Sequence, residues 1–227
     1  MGDTLELLLW EALGYRFVGN LDKSCEVLNT MIAKINNEKK KDNANINCWL
    51  FIYSELVRYN LCYNKYLQKD FDGAYELLSI LEKEIDSNVA VSLMHYNIFD
   101  LYYVMGLYED VKRVGHKMIG QYANKNFFEY YLYAIYKTDG VESAKNEMEK
   151  YLDIATKKMY LEIQDDLELN ENNFEYTESL LDEMLCITKA YNNMIINNGI
   201  PQIDENTLLF HDSILDCYIE NCIVHSH

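Results

Sequence analysis

Proline is nearly absent from this chain, with Pro201 standing alone, and glycine is scarce, at nine residues in 227. Sheets need turn residues every few positions, and helices tolerate neither residue well in their interiors. The shortage therefore argues against a strand-rich fold and for long helices with few sharp turns. Long apolar runs are missing too. None approaches the roughly 18–20 residues that cross a bilayer, so no membrane partner is expected. The start, Met1-Gly2-Asp3-Thr4-Leu5-Glu6, lacks the base of a secretory signal, and Glu6 stands where a myristoylation motif wants Ser or Thr. Base is scarcest in the last third. Residues 151–227 hold 3 Lys or Arg against 15 Asp or Glu, whereas residues 1–150 hold 17 against 22; the net charge is −17. Phosphates are repelled by such a surface, so direct nucleic-acid binding is not expected and a basic partner is favoured.

Apolar residues make up 49% of the chain, enough for the core of one helical domain. The six cysteines are Cys25, Cys48, Cys62, Cys186, Cys217 and Cys222. Most sit among apolar neighbours in helical patterns, where free cysteine acts as a small core residue. The expected compartment is a reducing cytoplasm.

Helical periodicity runs through most of the sequence. Leu5, Leu8, Leu9, Ala12 and Leu13 follow it, as do Val27, Leu28, Met31 and Ile32. The polar stretch Asn36–Asn47 reads as a loop. Helices are expected from about Ile46 to Lys69 and from about Asn88 to Met105, the second capped by Asp86 or Ser87. The pattern also repeats. Four tight breaks read Gly19-Asn20-Leu21, Lys69-Asp70-Phe71, Gly106-Leu107-Tyr108 and Asp139-Gly140-Val141, spaced by 50, 37 and 33 residues. Each ends in an apolar residue that opens the next helix. Three residues further on stand Ser24, Ala74, Val111 and Ala144, and four beyond those Leu28, Leu78, Gly115 and Met148. A small residue at that point lets two helices of a hairpin approach closely.

These features resemble the tetratricopeptide repeat, whose period is about 34 residues. Phe71-Asp72-Gly73-Ala74-Tyr75-Glu76-Leu77-Leu78 carries the match best, and Tyr15 and Tyr102 stand at the family's upstream aromatic offset. Lys65 and Ile135 depart from it, and the prolines that often end repeats are missing, so the resemblance is to a degenerate array over residues 5–155. It implies an all-α, right-handed stack of helical hairpins in a single domain. Residues 156–227 would form an acidic capping region with two longer helices, since a solenoid must cover its last exposed core. Asn170–Asn173 reads as a loop between acidic segments. The helix from about Phe174 to Asn197 carries an apolar stripe of Leu181, Met184, Leu185 and Ile195, and Asn198-Gly199-Ile200-Pro201 breaks it. A final helix is expected from Asp204–Thr207 onward, with Leu208, His211, Leu215, Tyr218, Ile219 and Cys222 on one face.

Tyrosine is the abundant residue, with 20 copies. The resemblance places the groove-facing positions at Tyr59, Asn60, Tyr63 and Tyr66, then Tyr96, Asn97, Asp100 and Tyr103, then Glu129, Tyr130, Tyr133 and Tyr136. Tyrosine offers large contact area at low entropic cost, and an asparagine can bond both N–H and C=O of a peptide. Leu9 and Leu13 stand where two polar groups of the family's carboxylate clamp belong, so capture of a free C-terminus is not implied. The bland alternative is that the tyrosines fill inter-helix contacts.

Chemistry-bearing constellations are few. Cys217, Cys222, His225 and His227 cluster near the end with His211 nearby, but the two cysteines, five apart, do not share a helix face well, so no metal or other cofactor is expected. Asp165-Asp166-Leu167-Glu168 lacks the glycine and closing glutamate of a calcium loop. His95 and His116 stand apart from partners at helical spacing, and no phosphate loop or nucleophile elbow occurs. Lys112, Arg113 and Lys117 read as a solvated basic face. The expectation is a non-enzymatic protein- or peptide-binding module with a tyrosine-lined groove. The rival is an acidic inhibitor, such as an immunity protein, antitoxin or phage anti-defence protein, that blocks a basic nuclease through Asp165, Asp166, Glu168 and Glu171.

Overall fold

The computed structural model describes residues 2–41, 48–86, 94–118, 125–169, 174–203 and 208. Among them are nine helices and no strand: α1 Gly2–Phe17, α2 Leu21–Lys41, α3 Cys48–Leu67, α4 Phe71–Asp86, α5 Met94–Val104, α6 Tyr108–Met118, α7 Lys125–Asp139, α8 Val141–Leu169 and α9 Phe174–Ile196. The fold is all-α, and no helix of the described residues is long and apolar enough to cross a membrane.

All four expected breaks fall between helices, and Leu21, Phe71, Tyr108 and Val141 are the first residues of α2, α4, α6 and α8. Three of the breaks share one construction. Gly19, Lys69 and Gly106 adopt φ of 80°, 61° and 73°. Each donates its N–H to the carbonyl three residues back, and the following residue bonds five back: Asn20 to Tyr15 at 2.8 Å, Asp70 to Lys65 at 3.0 Å and Leu107 to Tyr102 at 3.0 Å. This satisfies carbonyls that a helix end leaves open. The next helix is then capped where the side chain allows. Asn20 Oδ1 accepts from the Lys23 N–H, and Asp70 Oδ1 from the Gly73 N–H. A Cβ on Gly73 would lie 2.6 Å from Asp70 Oδ2, so a larger residue there must displace the capping carboxylate.

The residues after each break do what their size permits. Ser24, Ala74, Val111 and Ala144 are all at most 1% exposed. Ser24 Oγ donates to the Ala12 carbonyl at 2.7 Å and accepts from Asn64 Nδ2 at 2.7 Å, tying α1, α2 and α3 together.

The chain divides into two compact units, Met1–Leu101 with Glu205–His227, and Tyr102–Asp204. In the first, α2 packs on both α1 and α3, and α4 on α3. Leu9, Leu28, Met31, Ile35, Leu78, Leu81 and Ile85 are fully buried. Cys25 and Cys62 are free and buried as expected of core cysteines, and burial pushes both thiols up. In the second, α7 packs on α6, α8 and α9. Phe128 lies with its ring 4.2 Å from that of Tyr151.

Several sequence expectations are corrected. The loop expected to start at Asn36 is helix as far as Lys41, because Glu38, Lys39 and Lys40 are good helix formers and Lys39 Nζ reaches Ser54 Oγ on α3. Asp86 is the last residue of α4, and the expected capping of α5 by Asp86 or Ser87 lies outside the described side chains. Among the described side chains of α9, Ile187 and Met194 are buried, whereas Leu181 and Leu185 of the expected stripe are each 51% exposed. The helix packs on α7 and α8. Helix α8 runs unbroken from the expected repeat-like region into the expected capping region. Residues 42–47, 87–93, 170–173 and the expected final helix beyond Leu208 lie outside the described residues.

Candidate functional site

In the first unit, the tyrosines of α3 form a ladder. Tyr59 and Tyr63 stack with centroids 6.5 Å apart and planes 3° from parallel, and Tyr63 continues to Tyr66 at 6.1 Å and 19°. Spacing of three and four residues puts successive rings on one helix face. The ladder is largely internal. Tyr59 is fully buried and Tyr63 is 5% exposed. The Tyr59 hydroxyl donates to the Leu208 carbonyl at 3.3 Å.

Arg16 of α1 closes this face. Its Nη1 donates to Asn60 Oδ1 at 2.6 Å and its guanidinium lies 5.2 Å from the centre of the Tyr63 ring, a cation–π contact. Asn60 turns its amide nitrogen to the Leu56 carbonyl at 2.9 Å. Asn97, 4% exposed, directs its own to the Met94 sulfur at 3.7 Å. Both asparagines are thus engaged within the fold. Tyr96 is half-buried. Asp100 is 9% exposed, and burial pushes its carboxyl up to about 7. The Tyr59 phenol is pushed well up by burial and by the nearby Asp100.

The second unit arranges its tyrosines differently. Tyr103 packs against Tyr130, Tyr133 and Tyr108 at 4.9, 6.0 and 5.9 Å, and Tyr133 meets Tyr108 edge-on at 5.7 Å. Tyr136 adjoins Tyr133 at 6.1 Å. Edge-to-face contact suits the ring quadrupoles. Tyr103 and Tyr133 are 7% and 5% exposed, and Tyr130, Tyr136 and Glu129 are half-buried. Burial raises the Glu129 carboxyl and the Tyr103, Tyr108 and Tyr133 phenols, so all three phenols are O–H donors at neutral pH.

Two hydroxyls reach main chain that follows α9. Tyr103 Oη donates to the Pro201 carbonyl at 2.7 Å, and Tyr130 Oη to the Gln202 carbonyl at 3.1 Å. Residues 198–203 are non-helical, and Pro201 is buried while Ile200 and Gln202 are exposed. In the sequence Pro201 reads only as a helix breaker. Its signal was its singularity: a lone proline just past a helix end marks chain that a packed surface can hold without leaving an N–H unmet. Arg16 was also missed, for want of a partner at helical spacing.

The basic residues singled out on α6 line an open cleft of about 710 Å³ against α7 and α8. Lys112 pairs there with Glu109 at 3.0 Å and Asp139 at 2.8 Å, and Arg113 with Asp110. Acids of the same cleft offset these two cations, which therefore offer little to a phosphate backbone. Among the described residues no cluster of His, Cys, Asp or Glu has the form of a metal site. Cys217, Cys222, His211, His225 and His227 lie outside them, as does Glu171. Asp165, Asp166 and Glu168 fall on α8.

Taken by class, the chain is an all-helical protein whose tyrosine-rich helix faces are met by its own main chain. No family model matches it, and no curated protein or solved structure is significantly similar to it.

Proposed function

We propose that this chain is a non-enzymatic binding module of the tetratricopeptide-like kind, which holds a peptide segment of another protein against the tyrosines of its second unit. One observation carries the reading. Tyr103 and Tyr130 donate to the consecutive main-chain carbonyls of Pro201 and Gln202 in a non-helical segment, and the proline is buried. Phenol donors that take carbonyls recognise main chain whatever the side chains, which suits a docking face. The hairpin breaks and the buried small residues support the repeat-like architecture.

A peptide array tests this. Extended proline-containing peptides should retain the full chain better than helical ones. The pair Tyr103→Phe with Tyr130→Phe, which keeps both rings, should lower retention about tenfold or more while the helical circular dichroism is unchanged. Retention untouched by the pair would contradict the proposal, as would turnover that follows the purified chain against ester, peptide, nucleotide or RNA substrates.

A further inference from the structure

The segment that meets the second unit's tyrosines is built as a ligand would be. α9 ends at Ile196, and the chain turns at Asn198, with φ of 50°, and Gly199, whose N–H bonds the Asn193 carbonyl at 3.1 Å. A Cβ at Gly199 would lie 2.5 Å from Asn193 Nδ2, so the turn hugs the helix end. The next three carbonyls all find donors. Gln202 Nε2 bonds that of Ile200 at 3.2 Å, Tyr103 that of Pro201 and Tyr130 that of Gln202. Consecutive carbonyls of non-helical chain diverge, and the two phenols accordingly come from different helices, α5 and α7. Only the Pro201 side chain is buried, and proline brings no N–H needing a partner.

We infer that Ile200-Pro201-Gln202 is a built-in stand-in for the partner peptide, and that the partner is an extended segment with a proline between two exposed residues, which enters by displacing it. This rests on the peptide-binding reading above. A tethered segment sits at an effective concentration in the millimolar range, so the intact chain is self-occluded and binds such peptides weakly. Two neutral hydrogen bonds and one small ring are a modest hold, which makes release of the segment compatible with an otherwise folded chain.

The probe is a fluorescent peptide with the sequence of residues 197–203. It is titrated into the unaltered chain and into Pro201→Asp, where burial of the carboxylate is strongly disfavoured. The peptide should bind Pro201→Asp at least tenfold more tightly than the unaltered chain. Equal binding to the two, or none to a folded Pro201→Asp, overturns the inference. Pro201→Gly, which removes the ring without burying a charge, decides the matter even if Pro201→Asp does not fold. The probe should bind Pro201→Gly several-fold more tightly than the unaltered chain. Equal binding to the two would make the segment a fixed part of the core and overturn the inference. The two readings fail separately. If array peptides bind and Pro201→Asp leaves their affinity unchanged, the module stands and the stand-in falls. If the probe binds Pro201→Asp but no foreign peptide does, the segment is releasable and the module reading falls.

Discussion

The two units use the same residue, tyrosine, on helix faces singled out by one sequence pattern, and they use it differently. On α3 the rings stack nearly parallel, and the face is closed by Arg16 of the same unit. On α5 and α7 the rings meet at 56–62°, and the hydroxyls of Tyr103 and Tyr130 take two consecutive carbonyls of one segment, whereas on α3 the fully buried Tyr59 reaches the single carbonyl of Leu208. Ring-on-ring stacking along one helix is a way of filling a core. Tilted rings leave hydroxyls at the edges, where a segment can lie. Tyrosines at the same helical spacing are thus held in different ways on α3 and on α5 and α7.

Truncation should break the symmetry most. Tyr59→Ala removes a fully buried ring and should cost about 3–5 kcal/mol, whereas Tyr130→Ala, half-buried, should cost about 1 kcal/mol. Urea melts of the two variants check this. Equal losses would mean that both faces are core.

A pH titration of stability sharpens the description of the first unit. The Asp100 carboxyl is raised in the folded chain from 3.8 to about 7, so the folded state holds its proton over that range while the unfolded state gives it up. Its contribution therefore falls as pH rises from about 4 to about 7 and stays low above that. Asp100→Asn removes this dependence, so its stability relative to the unaltered chain should rise across the same window, by on the order of a few kcal/mol. A constant difference between pH 4 and 8 would contradict the buried carboxyl.

The smallest effect concerns equivalent turns. Lys69 and Gly106 occupy the same left-handed position, one per unit. Lys69→Gly should stabilise by up to about 1 kcal/mol and Gly106→Ala destabilise by about the same. Thermal melts shifting the same way for both would show that the turns are not equivalent.

Much of the helix punctuation was legible because breaks are written locally. The left-handed position wants glycine, the cap wants Asn or Asp, and the next buried contact wants Ser or Ala, all within about six residues of one another. The extension of α2 to Lys41 was not legible, because polarity alone does not separate a loop from an exposed helix end. The buried face of α9 was hidden by its several apolar stripes. The engagement of Asn60 with Arg16, and of Tyr103 and Tyr130 with residues 201 and 202, joins positions 44, 98 and 72 apart. No periodicity within one helix carries such information. The acidic run at Asp165 to Glu171, by contrast, stands out in sequence through composition alone.

The central claim is that the second unit's tyrosines dock main chain while those of the first build its core. Titration of the 197–203 peptide into Pro201→Asp chains tests it most directly, with ring-preserving changes added on either face. Tyr103→Phe with Tyr130→Phe should weaken binding about tenfold or more with little change in melting temperature. Tyr59→Phe should leave the affinity unchanged and lower the melting temperature slightly. Loss of affinity from Tyr59→Phe, or none from the Tyr103 and Tyr130 pair, would contradict the account.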